Sequence, residues 1–111
     1  MTELDTIMSE LDAWVRERGN GKYIYKDSLE LANFGLPENF GIQQVRDEIS
    51  EFAEVLLKHK RGTMLEIGLG YFGSTHFLWR MIFDHAATIE KNHPRILKFG
   101  ENTLAHYKKW I

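Results

Sequence analysis

Apolar side chains recur at helical spacing near the start of the chain. Between residues 2 and 18 they fall three or four positions apart, which places them on one face of a helix. Thr2 followed by Asp5 resembles a capping box, in which two residues at a helix start bond each other's backbone N–H groups. Gly19 and Gly21 then end the pattern. The apolar residues of this predicted helix, which we expect to pack in a core, are Leu4, Ile7, Met8, Leu11, Trp14 and Val15.

A second helical pattern covers residues 42–60. Acidic residues lie in its early turns and basic residues at its end, an order that complements the helix dipole, and Gly62 stops it. Between the two helices, residues 22–40 hold no sustained period; Asp27 and Ser28 could start a short helix, and glycine and proline then indicate a loop. The apolar residues that share a face of the second helix are Ile42, Val45, Ile49, Phe52, Ala53, Leu56 and Leu57.

The second half of the chain alternates short apolar runs with helical patterns. Residues 63–67 and 86–89 are predicted to be strands, the first of them a buried parallel strand. A helix over 73–83 separates them, and a final helix has Pro94 in its first turn. Alternating strands and helices with short links predict an α/β fold with a parallel sheet. We expect a helical extension over residues 1–40 and a second portion over residues 41–111 that contains the βαβα pattern. The side chains expected on one side of the final helix are Ile96, Leu97, Leu104 and Ile111.

Composition narrows the possible function classes. The chain has 111 residues, 43% of them hydrophobic, which is typical of one globular domain. Its net charge of −2 gives no basic footprint for nucleic acid. It has no cysteine, which excludes disulfide scaffolds, thiolate metal sites and cysteine catalysis. The five histidines lack metal-ligand spacing, so no metal site is expected. Without a membrane span or a signal-peptide pattern, we expect a cytoplasmic protein with no membrane partner.

The most informative stretch is a glycine motif between a predicted strand and a predicted helix. Gly68, Gly70 and Gly73 form the pattern Gly-x-Gly-x-x-Gly, and Glu90 follows the next strand about 20 residues later. Nucleotide-binding crossovers have this arrangement. We expect Gly68 to allow the turn out of the strand, Gly70 to let a ligand approach the backbone, and Gly73 to allow close packing of helix on strand. The Glu90 carboxylate can accept hydrogen bonds from two ribose hydroxyls. A tight turn without a ligand is the structural alternative.

The same stretch carries a family resemblance. Residues 65–75, Leu-Glu-Ile-Gly-Leu-Gly-Tyr-Phe-Gly-Ser-Thr, look like motif I of class I S-adenosylmethionine-dependent methyltransferases. The Gly-Ser-Thr ending is similar to that of the motif in small methyltransferases and cephalosporin-hydroxylase-like proteins. Residues 88–94 resemble motif II, an acid followed shortly by proline and a helix. Glu66 carries much of the likeness, because dinucleotide-binding strands usually have an apolar residue there. The resemblance covers residues 41–111 and implies a Rossmann-like methyltransferase fold.

The resemblance also implies roles for individual residues. Glu66 would organise the loop and approach the amino end of the methionine part, and it should share one crevice with Glu90. Glu90 would bind the ribose, and Lys91 would lie by the adenine edge. Phe72 departs from the family, which often has a small residue there. The residues expected at the cofactor are Glu66, Gly68, Gly70, Tyr71, Phe72, Gly73, Ser74, Glu90 and Lys91. Apart from the resemblance, Ser74 is a candidate cap for the helix after the loop.

The function expected from the resemblance is transfer of a methyl group from S-adenosylmethionine to a small molecule. No catalytic residue can be named, because the related families mostly supply acceptor and catalytic groups from later strands. Two alternatives remain open. The first is the NAD(P)- or FAD-binding half of an oxidoreductase, which the glycines and Glu90 also fit. The second is a non-catalytic domain of the same architecture.

Two parallel strands cannot bury both faces and both edges of a sheet by themselves. We therefore expect the sheet to be completed by a longer chain, of which these residues are the N-terminal part, or by a homo-oligomer. Either arrangement would cover the apolar surface near residues 64–67 and 86–89.

Overall fold

The computed structural model describes residues 1–18, 42, 44–59, 61–70 and 72–108. Some sequence predictions concern residues outside this described set, namely residues 22–40, Tyr71 and Ile111. The described elements follow the predicted order of helices and strands and form a mixed α/β structure. They are α1 (Glu3–Arg18), α2 (Arg46–Leu57), β1 (Thr63–Ile67), α3 (Ser74–Ile82), β2 (His85–Ile89) and α4 (His93–Lys108).

The start of α1 confirms the predicted capping box. The Thr2 backbone N–H donates to Asp5 Oδ2 at 3.0 Å, and the Asp5 N–H donates to Thr2 Oγ1 at 3.1 Å. Two backbone N–H groups that have no intrahelical partner are thereby bonded, each to the side chain of the other residue. The predicted apolar stripe is buried as well, since Leu11, Trp14 and Val15 are fully enclosed.

The second helix is shorter than predicted. It begins at Arg46 rather than Ile42, because Val45 is extended, with φ −82° and ψ 129°. Ile42 is still buried, but it enters the core from outside the helix. The predicted apolar face is also partly wrong, because Phe52 is 49% exposed whereas Ile49 and Ala53 are buried. Arg46 donates two hydrogen bonds to the Asp12 carboxylate, both at 2.9 Å, and so fixes α2 to α1.

The two strands pair in parallel, as predicted. Thr63 lies opposite His85 and Ile67 lies opposite Ile89, with α3 connecting the strands. Burial alternates along both strands, so only one face of the sheet packs on the core. The expected fully buried strand is therefore wrong: Leu65, Ile67 and Ile89 are 58%, 81% and 60% exposed. This exposed apolar surface lies where the sequence predicted that cover is needed.

The hydrophobic core lies between the sheet and the helices. The rings of Trp14 and Phe77 stack at 4.3 Å and join α1 to α3. Side chains of α1 belong to the same core as those of α2, α3 and α4. In the described part of the chain, no helix is long and apolar enough to cross a membrane.

The final helix presents a different face to the core from the one predicted. Among the α4 residues whose burial is described, Phe99 and His106 are buried, at 9% and 1% exposure. The predicted inward-facing residues Ile96, Leu97 and Leu104 are exposed. The predicted face of α4 is wrong because a phenyl ring and an imidazole make its buried contacts, whereas these aliphatic residues do not.

Candidate functional site

A loop of glycines joins the carboxyl end of β1 to α3. We call residues 68–73 the glycine loop; all of it is described except Tyr71. Gly68, Gly70 and Gly73 have φ values of 87°, 77° and 70°. These left-handed conformations strain any residue with a Cβ, which confirms the prediction that the loop requires glycine.

The first two glycines border open space. A methyl group placed on the Cα of Gly68 or Gly70 would meet no described atom within 4 Å beyond its chain neighbours. Packing therefore does not demand glycine at these positions; the backbone conformation does. The same space allows a ligand to reach the backbone, which is what a nucleotide-binding loop needs.

Gly73 is enclosed instead. A methyl group on its Cα would lie 2.5 Å from Phe99 Cδ2 and 3.1 Å from Leu69 Cδ1. The predicted role of Gly73 in packing helix on strand stays a prediction; the nearest neighbours of such a methyl group are a ring from α4 and a side chain of the loop. Gly73 is also the N-cap of α3. The expectation that Ser74 caps this helix is wrong for that reason.

Glu90 lies directly after β2 and bonds the glycine loop. Its Oε1 accepts a hydrogen bond from the Leu69 N–H at 2.8 Å, and its Oε2 accepts one from the Asn92 N–H at 2.9 Å. The hydrogen bond from Asn92, followed by that from Leu69, lowers the pKa of Glu90 below its ordinary value of 4.5. Glu90 thus holds an ionised carboxylate at the carboxyl end of the sheet, as predicted. It also ties β2 to the loop, which the sequence did not predict.

Glu66 turns toward α3. Its Oε2 accepts hydrogen bonds from Thr75 Oγ1 at 2.9 Å and from Trp79 Nε1 at 2.8 Å. The two acids lie at the carboxyl ends of neighbouring parallel strands, as predicted, since Glu66 is in β1 opposite Thr88 and Glu90 directly follows β2. Their described hydrogen-bond partners differ, and the expectation that both face one crevice stays a prediction. Glu66 organises the first turns of α3 rather than the open side of the loop.

A histidine on α3 faces Glu66. His76 Nδ1 lies 3.8 Å from Glu66 Oε1. Neither of these buried atoms has a hydrogen-bond partner among the described residues. Burial, reinforced by the charge of Arg80, lowers the pKa of His76 below 6.5. The lowered pKa favours the neutral imidazole, which forms no ion pair with Glu66.

The other predicted site residues occupy several different environments. Ser74 is buried, and its Oγ accepts a hydrogen bond from Trp14 Nε1 at 3.0 Å, so its side chain joins α3 to α1. Phe72 is half-buried and Lys91 is exposed. Tyr71 lies outside the described residues.

Sequence reasoning missed Phe99 as a neighbour of the loop. Its ring centroid lies 5.3 Å from that of His76 and 5.6 Å from that of Trp14. The periodicity of α4 gave no signal for this position, because the predicted stripe runs along another face. The close approach of Phe99 becomes evident only from the space around Gly73.

The chain matches no protein-family model, no curated protein sequence and no solved structure.

Proposed function

We propose that the glycine loop binds S-adenosylmethionine and that the protein is a methyltransferase of Rossmann-like architecture acting on a small molecule. The observation that carries the proposal is the placement of an ionised Glu90 beside a loop whose first two glycines border open space. A strand, a glycine loop, a helix and a parallel strand ending in an acid form the arrangement used for nucleotides. The motif resemblance indicates that the ligand is S-adenosylmethionine.

The residues present fit this cofactor. Gly68 and Gly70 leave room for a ligand against the backbone. Glu90 accepts backbone hydrogen bonds from Leu69 and Asn92, and because a carboxylate has about four acceptor sites, it has capacity left for a ribose hydroxyl. Because backbone hydrogen bonds fix Glu90, the carboxylate would need little reordering when a ligand arrives. The exposed side chain of Lys91 follows directly and would lie near the base.

When bound, the cofactor would supply an electrophilic methyl group. The task of this chain would be to hold the cofactor beside an acceptor, since methyl transfer depends mainly on proximity and alignment. Glu66 would act indirectly, because its hydrogen bonds to Thr75 and Trp79 fix the start of the helix that follows the loop.

A nicotinamide dinucleotide is the second candidate ligand. The sequence argument against it rests on Glu66, and in the structure the described hydrogen bonds of Glu66 are made to α3 rather than to the loop. The positive-φ glycines and Glu90 serve a dinucleotide equally well.

A ligand panel separates these functions. Thermal unfolding of the whole chain is recorded with S-adenosylmethionine, S-adenosylhomocysteine, NAD⁺ and FAD, each at several concentrations. The proposal expects the first two ligands to raise the unfolding temperature in a saturable way, because they bind the folded state. A shift produced only by NAD⁺ or FAD would replace it with the oxidoreductase candidate. No shift with any of them would indicate a non-catalytic domain.

A further inference from the structure

The side chain of Phe99, in helix α4, touches the glycine loop. The nearest atoms to a methyl group placed on Gly73 are Cδ2 and Cε2 of Phe99, at 2.5 and 3.0 Å, followed by Leu69 Cδ1 at 3.1 Å. The Phe99 ring and the Leu69 side chain therefore both lie directly against the last glycine of the loop. Leu69 is itself 3% exposed, so the middle of the loop is anchored in the core.

The position of Phe99 is fixed by aromatic neighbours on two other helices. Trp14 of α1 and His76 of α3 hold its ring in tilted and edge-on contacts. Farther along α4, the ring of His106 packs on Trp14 and Phe77, and its Nε2 lies 3.0 Å from Glu10 Oε2. These contacts anchor α4 to the core from Phe99 to His106.

The loop is consequently held from two directions. The Leu69 N–H donates to Glu90, which precedes α4, and the Phe99 ring, within α4, packs on Gly73 beside the Leu69 side chain. Three glycines with positive φ have unusual conformational freedom, so a loop built from them requires such external contacts to keep one shape.

We propose that Phe99 is a positioning residue for the glycine loop, holding Gly68 and Gly70 in the arrangement that presents their backbone to a ligand. The part of this inference that concerns a ligand rests on the proposed function. Without the ring, Gly73 loses a packing partner, and the loop samples further conformations. A ligand must then order the loop as it binds, which weakens its affinity without removing any contact to it.

Two substitutions at Phe99 test the inference against a matched control on the same helix. Phe99→Leu and Phe99→Met keep an apolar side chain and remove the ring. Leu104→Ala serves as the control because Leu104 is 59% exposed. Having both Phe99 variants keeps the test decisive if one of them folds poorly.

The first readout is amide hydrogen exchange, which requires no ligand. The informative amides are those of Leu69, bonded to Glu90, and Phe77, bonded to the Gly73 carbonyl. We expect exchange of both to be about tenfold faster in the Phe99 variants, with α2 amides and the Leu104→Ala protein unchanged. Equal acceleration throughout the chain would indicate a general structural role and overturn the proposal, as would unchanged exchange in the loop.

The second readout is S-adenosylmethionine affinity by titration calorimetry. We expect the Phe99 variants to bind about tenfold more weakly and Leu104→Ala to bind as the wild type does. Faster loop exchange with unchanged affinity would overturn the positioning role. If the wild-type chain binds no S-adenosylmethionine, the proposed function fails, whereas loop exchange still decides whether Phe99 holds the loop.

Discussion

The carboxylate of Glu90 accepts a hydrogen bond from the backbone N–H of Leu69 at 2.8 Å. This bond joins the end of β2 to the glycine loop that follows β1. It places an anion at the loop, at the carboxyl end of a parallel sheet, where α/β proteins bind ligands. The same bond gives Glu90 a structural role that is measurable without any ligand.

Glu90 should make stability depend on pH in the acid range. Because its pKa is lowered in the folded state, the stability it contributes is present above the unfolded pKa and is lost as pH falls through the folded pKa. Denaturant unfolding of wild type and Glu90→Gln should therefore differ most near pH 6 and converge toward about pH 3. Glu101→Gln, at an exposed position, is the control. A constant difference across this range would contradict the assignment.

The glycines of the chain should respond differently to alanine. Gly70→Ala should lower the free energy of unfolding by about 1–2 kcal/mol, because φ is 77° and alanine is strained there. Gly73→Ala should lower it further, since its methyl group would also overlap Phe99. Gly100 lies within α4 and borders open space, so Gly100→Ala should raise stability by about 0.5–1 kcal/mol. Denaturant titration of the three variants measures the order of these stability changes. The order would be contradicted if Gly73→Ala caused the smallest loss of stability.

His76 should destabilise the fold on mild acidification. Burial first and Arg80 second lower its pKa, so the unfolded state binds more protons than the folded state below about pH 6.5. The free energy of unfolding should therefore decrease as pH falls from about 7.5 to 5, and His76→Gln should flatten this dependence. The exposed residue His59 provides the control variant His59→Gln. Parallel pH profiles for wild type and His76→Gln would refute the prediction.

Substitutions of Glu66 should separate its hydrogen bonds from its charge. Glu66→Ala removes the acceptor of the buried Trp79 N–H and of Thr75, which should cost about 1–3 kcal/mol. Glu66→Gln keeps an acceptor oxygen and adds a donor toward Nδ1 of the neutral His76. We expect the glutamine variant to lie within about 1 kcal/mol of wild type. Equal losses for the two variants, measured by denaturant unfolding, would show that the charge itself is required.

Periodicity and glycine predicted most of the architecture. The capping box of Thr2 and Asp5 and the buried stripe of α1 are local features, so the sequence displays them directly. The positive φ of Gly68 and Gly70 follows from chain geometry at a strand-to-helix turn. The orientation of Glu66 also has a sequence signal. Alternation along β1 places Glu66 on the same face as Met64, and that face packs against the helices.

Long-range packing could not be predicted in the same way. Nothing local distinguishes Phe99, which is buried on the loop, from Leu97, which is exposed on the same helix. Val45 is extended although its spacing fits α2, because the chain there brings Ile42 into the core from outside the helix. Burial at these positions depends on which helices and strands pack against them. The spacing of apolar residues in a single sequence does not show that packing.

The proposed ligand site is tested most directly by calorimetric titration of S-adenosylmethionine into the wild-type chain, Glu90→Ala and Glu101→Ala. Hydrogen bonds to a carboxylate contribute enough that loss of Glu90 should weaken binding at least about tenfold. The account predicts saturable binding to the wild-type and Glu101→Ala proteins, tighter than that of NAD⁺, and the expected weakening in Glu90→Ala. Tighter binding of NAD⁺, equal affinities for the two variants, or no saturable binding to the wild-type chain would contradict it.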